Sequence, residues 1–145
     1  NVYANKEAGV VRWGEGGVKY KKPSTEISLN TIKIKAVAEI TKDLEDIILG
    51  FTVKGADDVD IMGTNTRIKQ RVIKQAAKGE QYILEWEFPN ILEDGEYKIA
   101  LTAHGSSGLP VYDWWSTAGS ISVRKAERTG YAISPDIQLV MNKEK

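Results

Sequence analysis

The chain has 145 residues, and 20 Lys plus Arg balance 20 Asp plus Glu to give a formal net charge of zero. That is about one domain's length, enough to bury a core without staples, and it offers no global attraction for DNA, RNA or anionic lipid. Without cysteine, and with His104 as the one histidine, the chain has no disulfide, thiol nucleophile, Cys-based metal site or multi-His site.

The hydrophobic period is two almost throughout. Val18 to Lys21 reads as a first short strand. From Thr31 to Thr41, Ile32, Ile34, Ala36, Ala38 and Ile40 share one face, with Lys33, Lys35, Val37 and Glu39 on the other. From Ile47 to Lys54, Ile47, Leu49, Phe51 and Val53 share a face. Val59 to Gly63 is a further short run, and Arg67 to Lys78 reads either as a strand with a loop or as a short helix. Tyr82, Leu84, Trp86 and Phe88 alternate with Gln81, Ile83, Glu85 and Glu87. Tyr97, Ile99, Leu101 and Ala103 then alternate with Lys98, Ala100, Thr102 and His104. Ser120 to Arg124 and Ile137 to Met141 complete about eight short strands separated by Gly, Pro, Asn and Asp turns. The predicted fold is all-β, an antiparallel β-sandwich, built by residues 1–124. Residues 125–145 carry a detached strand that must find a sheet edge on its own subunit or a partner's.

No stretch reaches the ~20 apolar residues of a membrane helix, and the N-terminus lacks a charged-then-apolar signal pattern. The start at Asn1 rather than Met is expected of an excised fragment.

Little in this pattern points to catalysis. Gly14-Glu15-Gly16-Gly17 lacks the Lys-Ser/Thr and the helix of a phosphate loop, so it reads as a turn and no nucleotide site is expected. Asp57, Asp58 and Asp60 miss the spacing and terminal Glu of a calcium loop. Glu85 and Glu87 are about 6–7 Å apart by strand rise. They point the same way from one strand, whereas glycoside hydrolysis needs an acid and a base on opposing sides of the bond. No catalytic residue, metal or cofactor is therefore expected.

The aromatics are more informative. Trp86 is in phase with a core face, while Trp13 reads as either packing or rim. Tyr112-Asp113-Trp114-Trp115 follows a Gly-Ser-Ser-Gly loop and Pro110, outside the best strands. Adjacent tryptophans cannot both face one side of an extended segment. The pair either stacks on sugar rings or covers an open end of the core. Lys98, Thr102 and His104, with Thr52 and Lys54 on a neighbouring strand, present either a glycan-binding face or an ordinary solvated one.

Taken in order, Arg12-Trp13-Gly14-Glu15-Gly16-Gly17-Val18, Leu49-Gly50-Phe51, Gly63-Thr64-Asn65-Thr66, Phe88-Pro89-Asn90, Gly95-Glu96-Tyr97, His104 and Tyr112-Asp113-Trp114 resemble the C-terminal domain of the Wzt family. Those proteins are ATP-binding subunits of ABC transporters that export O-antigen polysaccharide. The resemblance runs from about Gly9 to Val123. It implies an immunoglobulin-like sandwich that recognises a modified non-reducing end of the glycan, and a homodimer with an exchanged C-terminal strand. It also implies a place at the cytoplasmic face of the bacterial inner membrane, beside a nucleotide-binding domain and a membrane subunit.

The resulting expectation is a non-catalytic carbohydrate-binding module. Tyr112, Trp114 and Trp115 supply aromatic surface, Thr52, Thr102 and His104 bind hydroxyls, and Lys54, Arg67 and Lys98 meet an anionic terminal group. The alternative is a structural or adhesion sandwich that acts only by dimerising. The Gly63–Asn65 and Tyr112–Trp114 motifs are open to either a ligand role or a turn-building one.

Overall fold

The computed structural model describes residues 3–5, 11–125 and 127–143. Gly9 and Val10, at the start of the stretch that carries the resemblance, lie outside the described residues, as do the chain's two ends at Asn1 and Lys145. The described residues form strands and turns only. In chain order the strands are β1 (Tyr3–Asn5), β2 (Arg12–Gly14), β3 (Val18–Tyr20), β4 (Ser24–Ile27), β5 (Thr31–Ile40), β6 (Leu44–Lys54), β7 (Asp60–Asn65), β8 (Ile73–Ala76), β9 (Gln81–Pro89), β10 (Gly95–Gly105) and β11 (Val111–Val123).

They build two antiparallel sheets. The larger runs β1-β2-β11-β10-β6-β7, and β8 shares the β6 edge with β7. In the smaller, β5 pairs with β3 and β4 along one edge and with β9 along the other. The inward faces are those the alternation marks. Ile32, Ile34, Ala36, Ala38 and Ile40 of β5 meet Ile47, Leu49, Phe51 and Val53 of β6 and Ile99, Leu101 and Ala103 of β10, all buried. Each fully buried Ile or Leu contributes about 1.5–3 kcal/mol, so this one layer holds the sandwich together.

Two sequence expectations need correction, and one open reading is resolved. Arg67 to Lys78 is a turn, the strand β8 and a loop, so of its two readings the helix falls away. Tyr112-Asp113-Trp114-Trp115 lies inside the longest strand, β11, where the buried Asp113 breaks the apolar alternation and hides it. Ile137 to Met141 forms no strand on this chain; the tail is attached through an isolated Leu92–Ile133 bridge and the Ser134 amide, which donates to Ile91 O.

The chain passes from the larger sheet to the smaller through Gly14 to Gly17. Gly16 (φ +84) and Gly17 (φ +105) take left-handed backbone that other residues resist. A Cβ on Gly14 would stand 2.3 Å from Tyr112 O. This crossing delivers Tyr20 to the buried Asp113. Arg12 donates to both Asp113 oxygens, Nε to Oδ1 at 3.0 Å and Nη2 to Oδ2 at 2.7 Å. Arg12 Nη2 also donates to Tyr20 O at 2.8 Å, and Tyr20 N donates to Asp113 Oδ2 at 2.9 Å. Tyr20 Oη donates across the sandwich to Thr102 O at 2.8 Å. Burial, and secondarily the charge of Asp113, pushes the Tyr20 phenol up, so it remains a neutral donor.

Asp113→Asn keeps the shape and removes the carboxylate charge from a largely buried ion pair. The expected cost is about 3–5 kcal/mol, read as a lower urea midpoint at unchanged slope. A loss under about 1 kcal/mol, the range of exposed pairs, would show that the pair carries no structural weight.

Candidate functional site

Strand register places one row of side chains across the outer face of the larger sheet. Trp13 on β2 stands opposite Trp114 on β11, Trp114 opposite Thr102 on β10, Thr102 opposite Gly50 on β6, and Gly50 opposite Asn65 on β7. Directly opposed residues in antiparallel strands share a face, and at about 4.8 Å per strand the row spans about 19 Å. At one end the Trp13 and Trp114 rings stack, with centroids 5.9 Å apart and planes within 18°. Below Thr102 lie Ala100, Thr52 and Gly63, then Ser120, Lys98, Lys54 and Asp60.

Between Thr102 and β7 the surface sinks into a groove of about 370 Å³. Its lining includes Thr52, Thr102, Gly63, Asn65, Ile61 and Ile68. Two glycines let β6 and β7 close up here. A Cβ on Gly50 would lie 2.8 Å from Thr64 O, and one on Gly63 would lie 2.4 Å from Phe51 O. Asn65 Oδ1 accepts the Ile68 N–H at 2.8 Å, which fixes Ile68 as a wall and leaves the amide nitrogen as a donor. At the lower end Lys98 Nζ donates to Asp58 Oδ1 at 2.8 Å. That hydrogen bond, then the Lys98 charge and the more distant Lys54, hold the Asp58 carboxyl below its usual range.

The predicted residues thus fall into three groups. Thr52, Thr102, Lys54, Lys98 and Trp114 share the face that carries the row and the groove. His104 lies one step beyond Thr102 on β10, with Nδ1 2.8 Å from Gly105 O, and Arg67 lines a separate cavity of about 50 Å³ with Asp46 and Ser106. Tyr112 and Trp115 leave the candidate set. Tyr112 occupies a bulge in β11 and is buried in the core. Trp115 turns inward beneath Arg12, whose guanidinium carbon lies 3.8 Å from the ring centroid. Sequence reasoning did not single out Ile61, Ile68 or the stacked role of Trp13, and it left Asn65 open between a ligand role and a turn-building one. The alternation Ile61-Gly63-Asn65 carried the signal, but the strand reading stopped at Gly63.

The glutamate pair set aside on the sequence also has a plain setting. Glu85 and Glu87 stand opposite Lys35 and Lys33 on the exposed face of the smaller sheet. Among the described residues no cluster of three His, Asp or Glu side chains is placed to hold a metal. What remains is aromatic stacking surface, hydroxyls and an amide donor on one open face.

The family model for the Wzt C-terminal domain matches residues 6–133. The crystal structure of a Wzt C-terminal domain superposes with a TM-score of 0.73 at 16% identity, covering 96% of this chain and 91% of that one. A β-glucosidase 3B from Thermotoga neapolitana in complex with glycerol aligns at 13% identity, TM-score 0.46, over 77% of this chain and 16% of its own. Chicken MD-1 complexed with lipid IVa aligns at 10% identity, TM-score 0.37, over 81% and 97%. Neither of these two weaker likenesses bears on function. No curated protein matches the chain.

Gly63→Ala puts a methyl group against the β6 backbone, which cannot move aside as a side-chain end would. The expected result is a loss of about 1–3 kcal/mol, read by urea unfolding, with faster hydrogen exchange in β7.

Proposed function

Because this chain belongs to the Wzt C-terminal domain family, we propose that it is the glycan-recognition module of an O-antigen polysaccharide exporter. The family's role is carbohydrate binding in an ABC transporter, and the domain is non-catalytic. In this reading the module takes the modified non-reducing end of the polysaccharide at the cytoplasmic face of the inner membrane. A nucleotide-binding domain and a membrane subunit are its partners there. The carrying observation is the outer-face row. Trp13 and Trp114, stacked on each other, leave aromatic surface for sugar C–H faces, and Thr102, Thr52 and Asn65 offer hydrogen bonds about 5 to 14 Å along the same face.

Sugar hydroxyls are already well hydrated, so the expected affinity of a single site is about micromolar. Calorimetric titration with the matching O-polysaccharide should show saturable binding, weakened at least about tenfold by Trp114→Ala, or about 1.4 kcal/mol. Binding that survives removal of the terminal modification overturns end recognition. Binding indifferent to Trp114→Ala moves the site off this face.

The proposal extends to a homodimer in which the C-terminal segment is exchanged. Ile137, Leu139, Val140 and Met141 are each at least 75% exposed. β9 pairs only with β5 among the described residues, and its inward Trp86 is half-buried with an unpartnered indole nitrogen. A strand laid against that edge covers both surfaces. Ending the chain at Ser134 is expected to convert a dimer into a monomer by light scattering. A truncated chain that remains dimeric overturns the exchange.

A further inference from the structure

The balanced net charge conceals a local imbalance that the glycan site does not absorb. From residue 61 to residue 79 the chain has Arg67, Lys69, Arg71, Lys74 and Lys78 and no carboxylate. Residues 67–72, between β7 and β8, form a projecting turn in which all six are exposed. The turn is braced from within. Lys69 N donates to Asn65 O, Gln70 N to Arg67 O and Arg71 N to Thr66 O, with Gln70 at φ +58. Arg67, Lys69, Arg71 and Lys74 make no ion pair among the described residues. Two large aliphatics are interleaved with them, Ile68 at 65% and Val72 at 55% exposure.

We propose that this turn is a docking surface for an anionic lipid bilayer. Cations alone suit any polyanion, but Ile68 and Val72 gain nothing from a soluble one. At a membrane they reach the headgroup–acyl boundary while the cations meet phosphates. Opposing charges come from the neighbouring elements. Asp46 lies across the small cavity from Arg67, and Glu85 lies across a cleft of about 720 Å³ from Lys69, Arg71 and Lys74. Lys78 belongs to the far end, where its amide donates to Asp43, so it is left out of the surface. Four cations against Asp46, Glu85 and the Glu45 that pairs with Gln75 beside Lys74 still leave the tip positive. The bracing hydrogen bonds mean that little conformational freedom is lost on contact. Ile68 also walls the glycan groove, so a docked module holds that groove close to the lipid surface.

The test is sedimentation of the chain with vesicles of phosphatidylcholine alone and with 30% phosphatidylglycerol, in about 0.1 M salt. Binding is expected only to the anionic vesicles. K69Q/R71Q/K74Q and I68S/V72S should each weaken it at least about tenfold, with unchanged thermal unfolding as the control for folding. Three results overturn the proposal. One is no sedimentation with anionic vesicles. Another is binding that neither variant weakens. The third is equal or tighter binding to soluble dextran sulfate that I68S/V72S leaves untouched, which assigns the turn to a soluble polyanion. None of these readouts uses glycan, so the proposal and the glycan reading fail separately.

Discussion

The buried Arg12–Asp113 pair is the constraint on which the rest of this sandwich depends. A carboxylate with no solvent exposure is costly to desolvate, and it is tolerated only where its lone pairs are filled. Here Arg12 donates to both oxygens, Tyr20 N donates to one of them, and Trp115 lies against the guanidinium face. One carboxylate on β11 therefore takes ligands from β2 and β3, strands of both sheets. A slip of one residue in the β2–β11 pairing turns Arg12 or Asp113 to the outside and leaves its partner uncompensated. The register is thereby fixed, and with it the outward stack of Trp13 on Trp114, each of which is the sequence neighbour of one member of the pair.

The same network reaches the outer-face row from beneath. Tyr20 crosses the core to the carbonyl of Thr102, so the strand that carries the central hydroxyl of the row is held by a hydrogen bond from the opposite sheet. Beside it, the shape of the groove comes from missing side chains. Gly50 and Gly63 bring the β6 and β7 backbones together, and the taller Ile61 and Ile68 stand around the floor they leave. Rigid backbone under a shallow groove suits a ligand bound weakly and released often, because ordering the site costs little. The Lys98–Asp58 bond bears on the same question. An anionic sugar substituent must compete with an existing partner there, so Lys98 is not the open cation that its place in the strand implied.

Much of the fold was legible because the core strands obey one rule. β5 and β9 alternate cleanly, β6 and β10 alternate apart from short apolar runs, and each was found within three residues at either end. Of β11 only the end near Ser120 to Arg124 was found, and its first part was missed for the reason that makes it important. Asp113 occupies an inward position where the pattern calls for an apolar residue, and the bulge at Tyr112 shifts the phase two residues before the tryptophans. Only the spatial neighbour Arg12, distant in sequence, explains the exception. Three- and four-residue strands such as β2 and β4 are too short to show a period. On the outer face, Thr52, Lys54, Lys98 and Thr102 were placed side by side because cross-strand register follows from alternation. Asn65 and Ile68 were not, because the Gly-Thr-Asn-Thr motif continues β7 rather than ending it.

Zero net charge proves to be the least informative number in the composition. The segment from Glu93 to Glu96 shows why. Glu93 is held below its usual range by the Asp94 amide first and then by the Gly130 and Thr129 groups, and Glu96 by Ser122 and Arg124. Asp94 accepts the Lys125 amide and lies within 3.5 Å of Arg128. At that pole charges of both signs are spent on one another and on holding the tail. The cations of the turn between β7 and β8 make no ion pair among the described residues, so they keep their charge for whatever approaches from outside. A chain can be neutral as a whole and still present one unbalanced surface, and the position of that imbalance along the fold says more about partners than its sum.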